Sequence, residues 1–141
     1  MQIMMIDFFV PMQLPTITHQ QKKIRVVKGK PYFYEPAALA DARNKFMAYM
    51  APHAPKEKLA GPVRLTTKWC YPRGSHPAPA YKTTKPDTDN MIKLLKDVMT
   101  ELKFWNDDAQ VASEITETFW SDVQGLYVRM ELLPKELRCH D

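Results

Sequence analysis

Only two cysteines occur in the 141 residues, Cys70 and Cys139, and they form no CxxC pair. That spacing excludes a cysteine-based zinc site. Nothing in it asks for an oxidising compartment. Cys70 falls in an expected strand and reads as a buried free thiol. Long apolar runs are also missing, and none approaches the roughly 20 residues a membrane-spanning helix needs. Residues 1–11 are apolar, but they lack a basic leading region and are interrupted by Asp7 and Pro11. They read as a strand and not as a signal peptide. Internal repeats and low-complexity segments are absent too. These absences point to a cytoplasmic protein without a membrane partner.

Acidic residues are missing from a further stretch. Residues 11–34 carry Lys22, Lys23, Arg25, Lys28 and Lys30 with no aspartate or glutamate. The whole chain has a net charge of +4 and a pI of about 9.0, which favours a polyanionic partner. Its length suits one domain with a real core, so residues 1–141 are read as one unit with a short tail at 134–141.

Periodicity gives the elements. A strand over 3–10 comes first, then a hairpin turned at Gly29 between residues 24–27 and 31–34. A helix opens at Glu35-Pro36, with Leu39, Ala42, Phe46 and Tyr49 on its core face, and closes at Pro52 and Pro55. Val63, Leu65, Thr67, Trp69 and Tyr71 alternate with polar residues as a half-buried strand. A proline-rich basic loop follows over 72–82. Its His76 reads as an exposed loop histidine and not as a catalytic base.

A second helix starts near Asp87 to Asp89 and buries Met91, Leu94, Leu95, Val98, Met99 and Leu102 on one face. Asp89, Lys93 and Asp97 stack on the opposite face. Residues 109–119 form a strand with Val111, Ile115 and Phe119 among its apolar positions. After a turn at 121–125, Leu126, Val128, Met130 and Leu132 mark a final strand antiparallel to it. The expected architecture is a single α+β domain, with a mixed or mainly antiparallel sheet and two helices on one face.

The acidic residues are local exceptions in a basic chain. Asp87 and Asp89 precede a helix and could simply cap it. Asp107 and Asp108 could be turn residues, and Asp89, Lys93 and Asp97 an exposed ion-pair ladder. Taken together, two carboxylate clusters flanking one helix suit a hard divalent cation, which takes oxygen ligands alongside substrate phosphate. Lys93, one turn beyond Asp89, could neutralise charge on the phosphate or orient water. Crowded carboxylates also hold their protons more tightly until a cation arrives.

The segment from Lys85 to Val111 resembles the signature of the RusA-type Holliday-junction resolvases. That family has a D-x-D-N motif opening a helix, a lysine four residues on, and an F-W-x-D-D-x-Q-V motif after it. Here these are Asp87-Thr88-Asp89-Asn90, Lys93, and Phe104-Trp105-Asn106-Asp107-Asp108-Ala109-Gln110-Val111. The resemblance implies a homodimer that binds four-way DNA junctions and cuts two strands symmetrically with Mg²⁺, Mn²⁺ being able to replace it. It implies Asp87, Asp89 and Asp108 as metal carboxylates, Lys93 as the essential lysine, Asp107 as an auxiliary ligand and Asp97 as a supporting residue. It also implies a bacterial or prophage origin. Lys22, Lys23, Arg25, Arg73, Lys82 and Lys85 are the expected phosphate contacts. The segment after the first strand, Pro15-Thr16-Ile17-Thr18-His19-Gln20, departs from the Pro-Pro-x-x-Asn pattern of many members. The competing readings are a branched-DNA-binding protein without catalysis and a D-x-D metal-dependent glycosyltransferase.

Overall fold

The strand with the cleanest alternation occupies the middle of the sheet. A computed structural model describes residues 4–15, 23–27, 29–34, 37–84 and 88–137, with the backbone alone described at 23–27 and 31–34. Strand β4 (Val63–Pro72) follows β1 (Met5–Pro11), the hairpin β2 (Lys23–Val27) and β3 (Lys30–Tyr34), and helix α1 (Ala37–Met50). On β4, Val63, Leu65, Thr67 and Trp69 are fully buried, and Tyr71 nearly so. Period two sends Arg64, Lys68 and Cys70 to the other face, where each is half-buried. Cys70 is a free thiol whose pKa is raised, mainly by that burial.

After β4 come β5 (Ala80–Tyr81), helix α2 (Asp89–Glu101), β6 (Val111–Ser121) and β7 (Gly125–Leu132). The sheet runs β1-β7-β4-β6-β5. Only β4 and β6 are parallel neighbours, so the sheet is mixed and mostly antiparallel, as expected. The turn into β7 does reverse the chain after β6. The two strands are nevertheless not partners, because β4 lies between them. The central place gives β4 a backbone partner on both edges, which suits the strand that buries Trp69. The hairpin expected about Gly29 is present as a separate two-stranded sheet, and Gly29 supplies the positive φ its turn requires.

Both helices pack on the face that β4 buries. Phe46 of α1 meets Trp69 edge-on, with ring centroids 6.1 Å apart. From α2, Lys96 reaches Glu114 of β6, which pairs with Leu65 on that same face. Helix α1 buries Leu39, Ala42, Phe46 and Met50. Met50 replaces the expected Tyr49, which is 40 % exposed. Four residues beyond Phe46 is closer to a whole turn of 3.6 than three. Helix α2 buries the expected set together with Ile92, while Leu102 is half-buried at its end.

Among the described residues, the opposite face of the sheet carries no helix. There Tyr127 donates to Asp7 at 3.0 Å, Lys68 lies over the Tyr127 ring, and Arg64 donates to Ser113 at 3.0 Å. Ile115 and Phe119 point to this face, so the apolar positions of β6 are not its core positions. Among the described residues, no helix is long and apolar enough to cross a membrane.

At Gly125, paired with Pro11, β7 passes close against β1. A Cβ there would lie 2.4 Å from the Val10 carbonyl oxygen and 2.5 Å from the Phe9 ring. The backbone oxygen cannot step aside without breaking the β1–β7 register. Gly125→Ala should therefore lose about 1–3 kcal/mol in a denaturant titration, as overpacked substitutions do. A wild-type midpoint would contradict this close approach.

Candidate active site

The end of α2 is built to deliver a tight turn. Lys103 sits at φ 66°, the left-handed conformation that often ends a helix. Phe104 N–H then reaches back to the Met99 carbonyl and Lys103 N–H to the Thr100 carbonyl, so the last carbonyls are satisfied. Phe104 and Trp105 are driven fully into the core. The Trp105 indole N–H donates to Thr100 Oγ1 at 2.7 Å, which fixes the ring against the helix it has just left.

That anchor positions the acidic turn. Asp107 precedes a single 3-10 turn, Asp108–Gln110, and its carboxylate accepts from the Ala109 N–H at 3.0 Å. Gln110 works in both directions. Its Oε1 accepts from the N–H groups of Asn106 and Asp107, and its Nε2 donates to the carbonyls of Leu59 and Gly61. One side chain therefore fastens the turn to the segment before β4. Asp107 caps this short turn. Asp89 lies inside the first turn of α2, behind Thr88 at the cap position, and no side-chain cap bond forms there.

Two sets of charged groups result. The first lines a groove of about 420 Å³ between α2 and β6, formed by Asp89, Ile92, Lys93, Lys96, Glu114 and Thr116. Asp89 and Lys93 are exposed along it, on the side of α2 away from the core, as the spacing predicts. The second set surrounds Asp108. Burial pushes its pKa up first. A hydrogen bond with Asp107 and the charges of Asp107 and Asp97 add to the rise, while Lys96 opposes it. Lys96 is the residue common to both sets, and its ammonium is 3.2 Å from Glu114 Oε2. Asp89 and Asp97 stand eight residues apart, which is roughly 12 Å along a helix. Asp108 thus faces the C-terminal half of α2 and Asp89 its N-terminal end.

The donors are all carboxylate oxygens, the chemistry a hard divalent cation prefers. The Lys96 ammonium meets one carboxylate of the groove, that of Glu114, at 3.2 Å. Among the described residues, no three His, Cys, Asp or Glu side chains close into a metal cage. Asp87, expected as a third carboxylate, lies outside the described residues, as do Lys22 and Lys85. Lys23 and Arg25 fall on β2, where the backbone alone is described. Arg73 is exposed and pairs with Asp122 at 3.2 Å. Lys82 is only 6 % exposed. Its ammonium donates to the Thr84 carbonyl and lies 4.8 Å from the centre of the Tyr71 ring. The loop histidine, His76, stacks on Trp120.

The sequence reading missed Lys96 and Glu114. Its signal was the alternation of β6, where Glu114 and Thr116 fall in register with Leu65 and Thr67 on the helix-facing side.

The raised pKa of Asp108 has a consequence for stability. A carboxyl whose folded pKa lies above its unfolded value favours folding at low pH and loses that favour as pH rises through the folded pKa. Ionised Asp108 is thus a cost to the metal-free fold at neutral pH. With metal chelated, Asp108→Asn should melt no lower than wild type at neutral pH. Its advantage should close as pH falls through the carboxylate range. A lower melting temperature at neutral pH, read by circular dichroism, would contradict this.

Comparison with known proteins gives one consistent answer. The family model described as endodeoxyribonuclease RusA matches residues 13–131. A protein of Lactococcus phage r1t, named crossover junction endodeoxyribonuclease rusA, is 35% identical over 102 residues, covering 70% of this chain and 76% of the phage protein. Bacillus subtilis (strain 168) YqaN, named as uncharacterised, is 26% identical over 121 residues, covering 77% of this chain and 82% of YqaN. The acidic turn, the lysine-lined groove and these matches lead to one statement: this chain belongs to the RusA family of endodeoxyribonucleases.

Proposed function

We propose that this protein resolves four-way DNA junctions with a divalent cation, Mg²⁺ or Mn²⁺, and makes paired, symmetric cuts as a homodimer. The observation that carries the reading is the pair of acidic sites along α2, with Asp89 on a lysine-lined groove beside β6 and Asp108 in the acidic turn facing the other half of the helix. Asp89, Asp108 and Asp87 would hold the cation, with Asp107 auxiliary and Asp97 in support. When bound, the ion would activate water and offset charge developing on the phosphate.

The chain's own residues do the rest. Lys93 is exposed on the groove and can meet a phosphate oxygen directly. Asp108 is held in a crowded, partly desolvated place, so a cation nearby would favour its charged form. Gln110 keeps the acidic turn in position without entering the chemistry. Lys22, Lys23, Arg25, Arg73 and Lys85 would contact backbone phosphates, a sequence-independent grip. The burial of Lys82 gives it a structural duty instead. The partner that has its DNA junctions in the cytoplasm would be the chromosome or a phage genome.

One labelled four-way junction tests the chemistry. Asp108→Asn should lower the Mg²⁺-dependent cutting rate by orders of magnitude. Its affinity for the junction without metal should hold or improve, because a negative charge facing DNA is gone. Lys93→Ala should also cut poorly, with slightly weaker binding. Near wild-type cutting by Asp108→Asn would remove the metal-site reading. Binding of the junction by wild type without any cutting would favour a branched-DNA-binding protein instead. Turnover of a nucleotide sugar in its place would favour the glycosyltransferase.

Paired cuts set a requirement for assembly. One chain carries one acidic site, so two incisions across a symmetric junction need two copies. Sedimentation at micromolar concentration should show a dimer, free or on the junction. A monomer under both conditions would overturn this.

A further inference from the structure

The acidic turn has a second neighbour, the segment that leads into β4. Leu59 N–H donates to the Phe104 carbonyl at 2.8 Å, and Leu59 also bridges to Trp105. Gln110 adds its bonds to the carbonyls of Leu59 and Gly61, at 2.9 and 3.0 Å. The residue before Leu59 is thereby fixed beside the residue after Trp105. These are Lys58 and Asn106, and the Lys58 ammonium reaches Asn106 Oδ1 at 3.4 Å. Asn106 directly precedes Asp107 and Asp108. A second lysine arrives from beyond β7. Leu133 N–H donates to the Pro62 carbonyl at 2.9 Å, which lays the residues after β7 against the same segment. A Cβ on Gly61 would lie 3.7 Å from Lys135 Cε, so the stem of that lysine passes over the glycine.

Both lysines are exposed. Among the described residues neither is in an ion pair, although Glu57 and Glu136 adjoin them in sequence. Lys58 is held by a neutral amide, which aims the ammonium without cancelling its charge. That bond is long and open to solvent, and a phosphate oxygen makes a stronger partner than an amide. A DNA strand brought to the turn meets two aspartates, and their charge repels its phosphates. We propose that Lys58 and Lys135 form a phosphate-binding rim beside the acidic turn and hold the DNA backbone where it passes Asp107 and Asp108. This rests on the reading of that turn as part of the active site. The contacts expected from the sequence all lie on other segments, so the rim adds two to them. It also gives the residues after β7 a part in gripping DNA. Such contacts position the backbone and carry no sequence information.

The test is affinity for a labelled four-way junction without divalent cation, followed against salt concentration. Each phosphate contact contributes about 0.9 to the slope of log affinity on log salt. Lys58→Gln and Lys135→Gln should each flatten the slope by about that amount, and the double variant by about twice as much. Lys58→Arg and Lys135→Arg keep the charge and should keep the wild-type slope, which separates a phosphate contact from support of the fold. Lys56→Gln removes an exposed lysine from the same segment and should leave the slope as it is. A wild-type slope in the double variant would overturn the proposal. Equal flattening by Lys56→Gln would overturn it too, because a diffuse basic surface would then account for the binding. Asp108→Asn is assayed for Mg²⁺-dependent cutting alongside. If it cuts as wild type does, the active-site reading of the turn fails and this inference with it. If it does not cut while the double variant keeps the wild-type slope, only this inference fails.

Discussion

The parallel pairing of β4 with β6 is the constraint on which the rest depends. Parallel neighbours cannot be joined by a tight turn, so the chain must travel the length of the sheet before it can pair again. Here the chain passes through β5 and then α2 before β6 takes its place beside β4. The carboxylate motifs sit at the two ends of that return. Asp89 is in the first turn of the helix, and Asp107 and Asp108 immediately precede β6. Their spacing along the chain is therefore a property of the crossover. Packing the apolar face of α2 on the sheet leaves its charged stripe facing out beside β6.

Precision at the acidic turn comes from residues that carry no charge. Trp105 and Phe104 are fully buried, and a buried aromatic cannot shift without opening a large hole. Thr100 ties Trp105 to α2, while Gln110 ties the turn to the carbonyls of Leu59 and Gly61. The backbone of Leu59 also donates to the Phe104 carbonyl at 2.8 Å. The turn is thus held from the helix before it and from the segment leading into β4. That explains why the aromatic pair and the glutamine surround the aspartates in sequence. They are the fixture, and Asp108 is what the fixture presents.

Much of this was legible before any coordinates. The alternation of β4 and β7 and the helical spacing in α1 and α2 depend on burial of one face, and burial acts locally enough to mark the sequence. The outward stripe of Asp89, Lys93 and Asp97 was legible for the same reason. Strand β6 was harder. Its apolar residues Ile115 and Phe119 look like a core set, yet they face the side of the sheet away from α1 and α2. Neighbours two strands away decide which face of a strand is inside, and no local pattern records them. The position of β4 between β6 and β7 was invisible for a similar reason, because strand order is settled by long-range pairing. Lys82 misled in another way. A lysine in a basic loop reads as a surface charge until Tyr71 and Trp120 are seen to cover it.

Under the proposed function, the charge pattern of the groove answers opposing demands. A site that draws a divalent cation needs carboxylates close together, and a site that receives DNA must not repel phosphate. Carboxylates alone would satisfy the first demand and defeat the second. The stripe on α2 alternates the two signs instead, with Asp89 and Asp97 interleaved by Lys93 and Lys96. Interleaving creates its own difficulty, since each lysine is also a counter-ion that can satisfy a neighbouring aspartate. Lys93 is exposed at the mouth of the groove, where a phosphate can compete for it. Lys96 is more enclosed and lies 3.2 Å from Glu114. Glu114, on the strand that closes the groove, is the group placed to hold it.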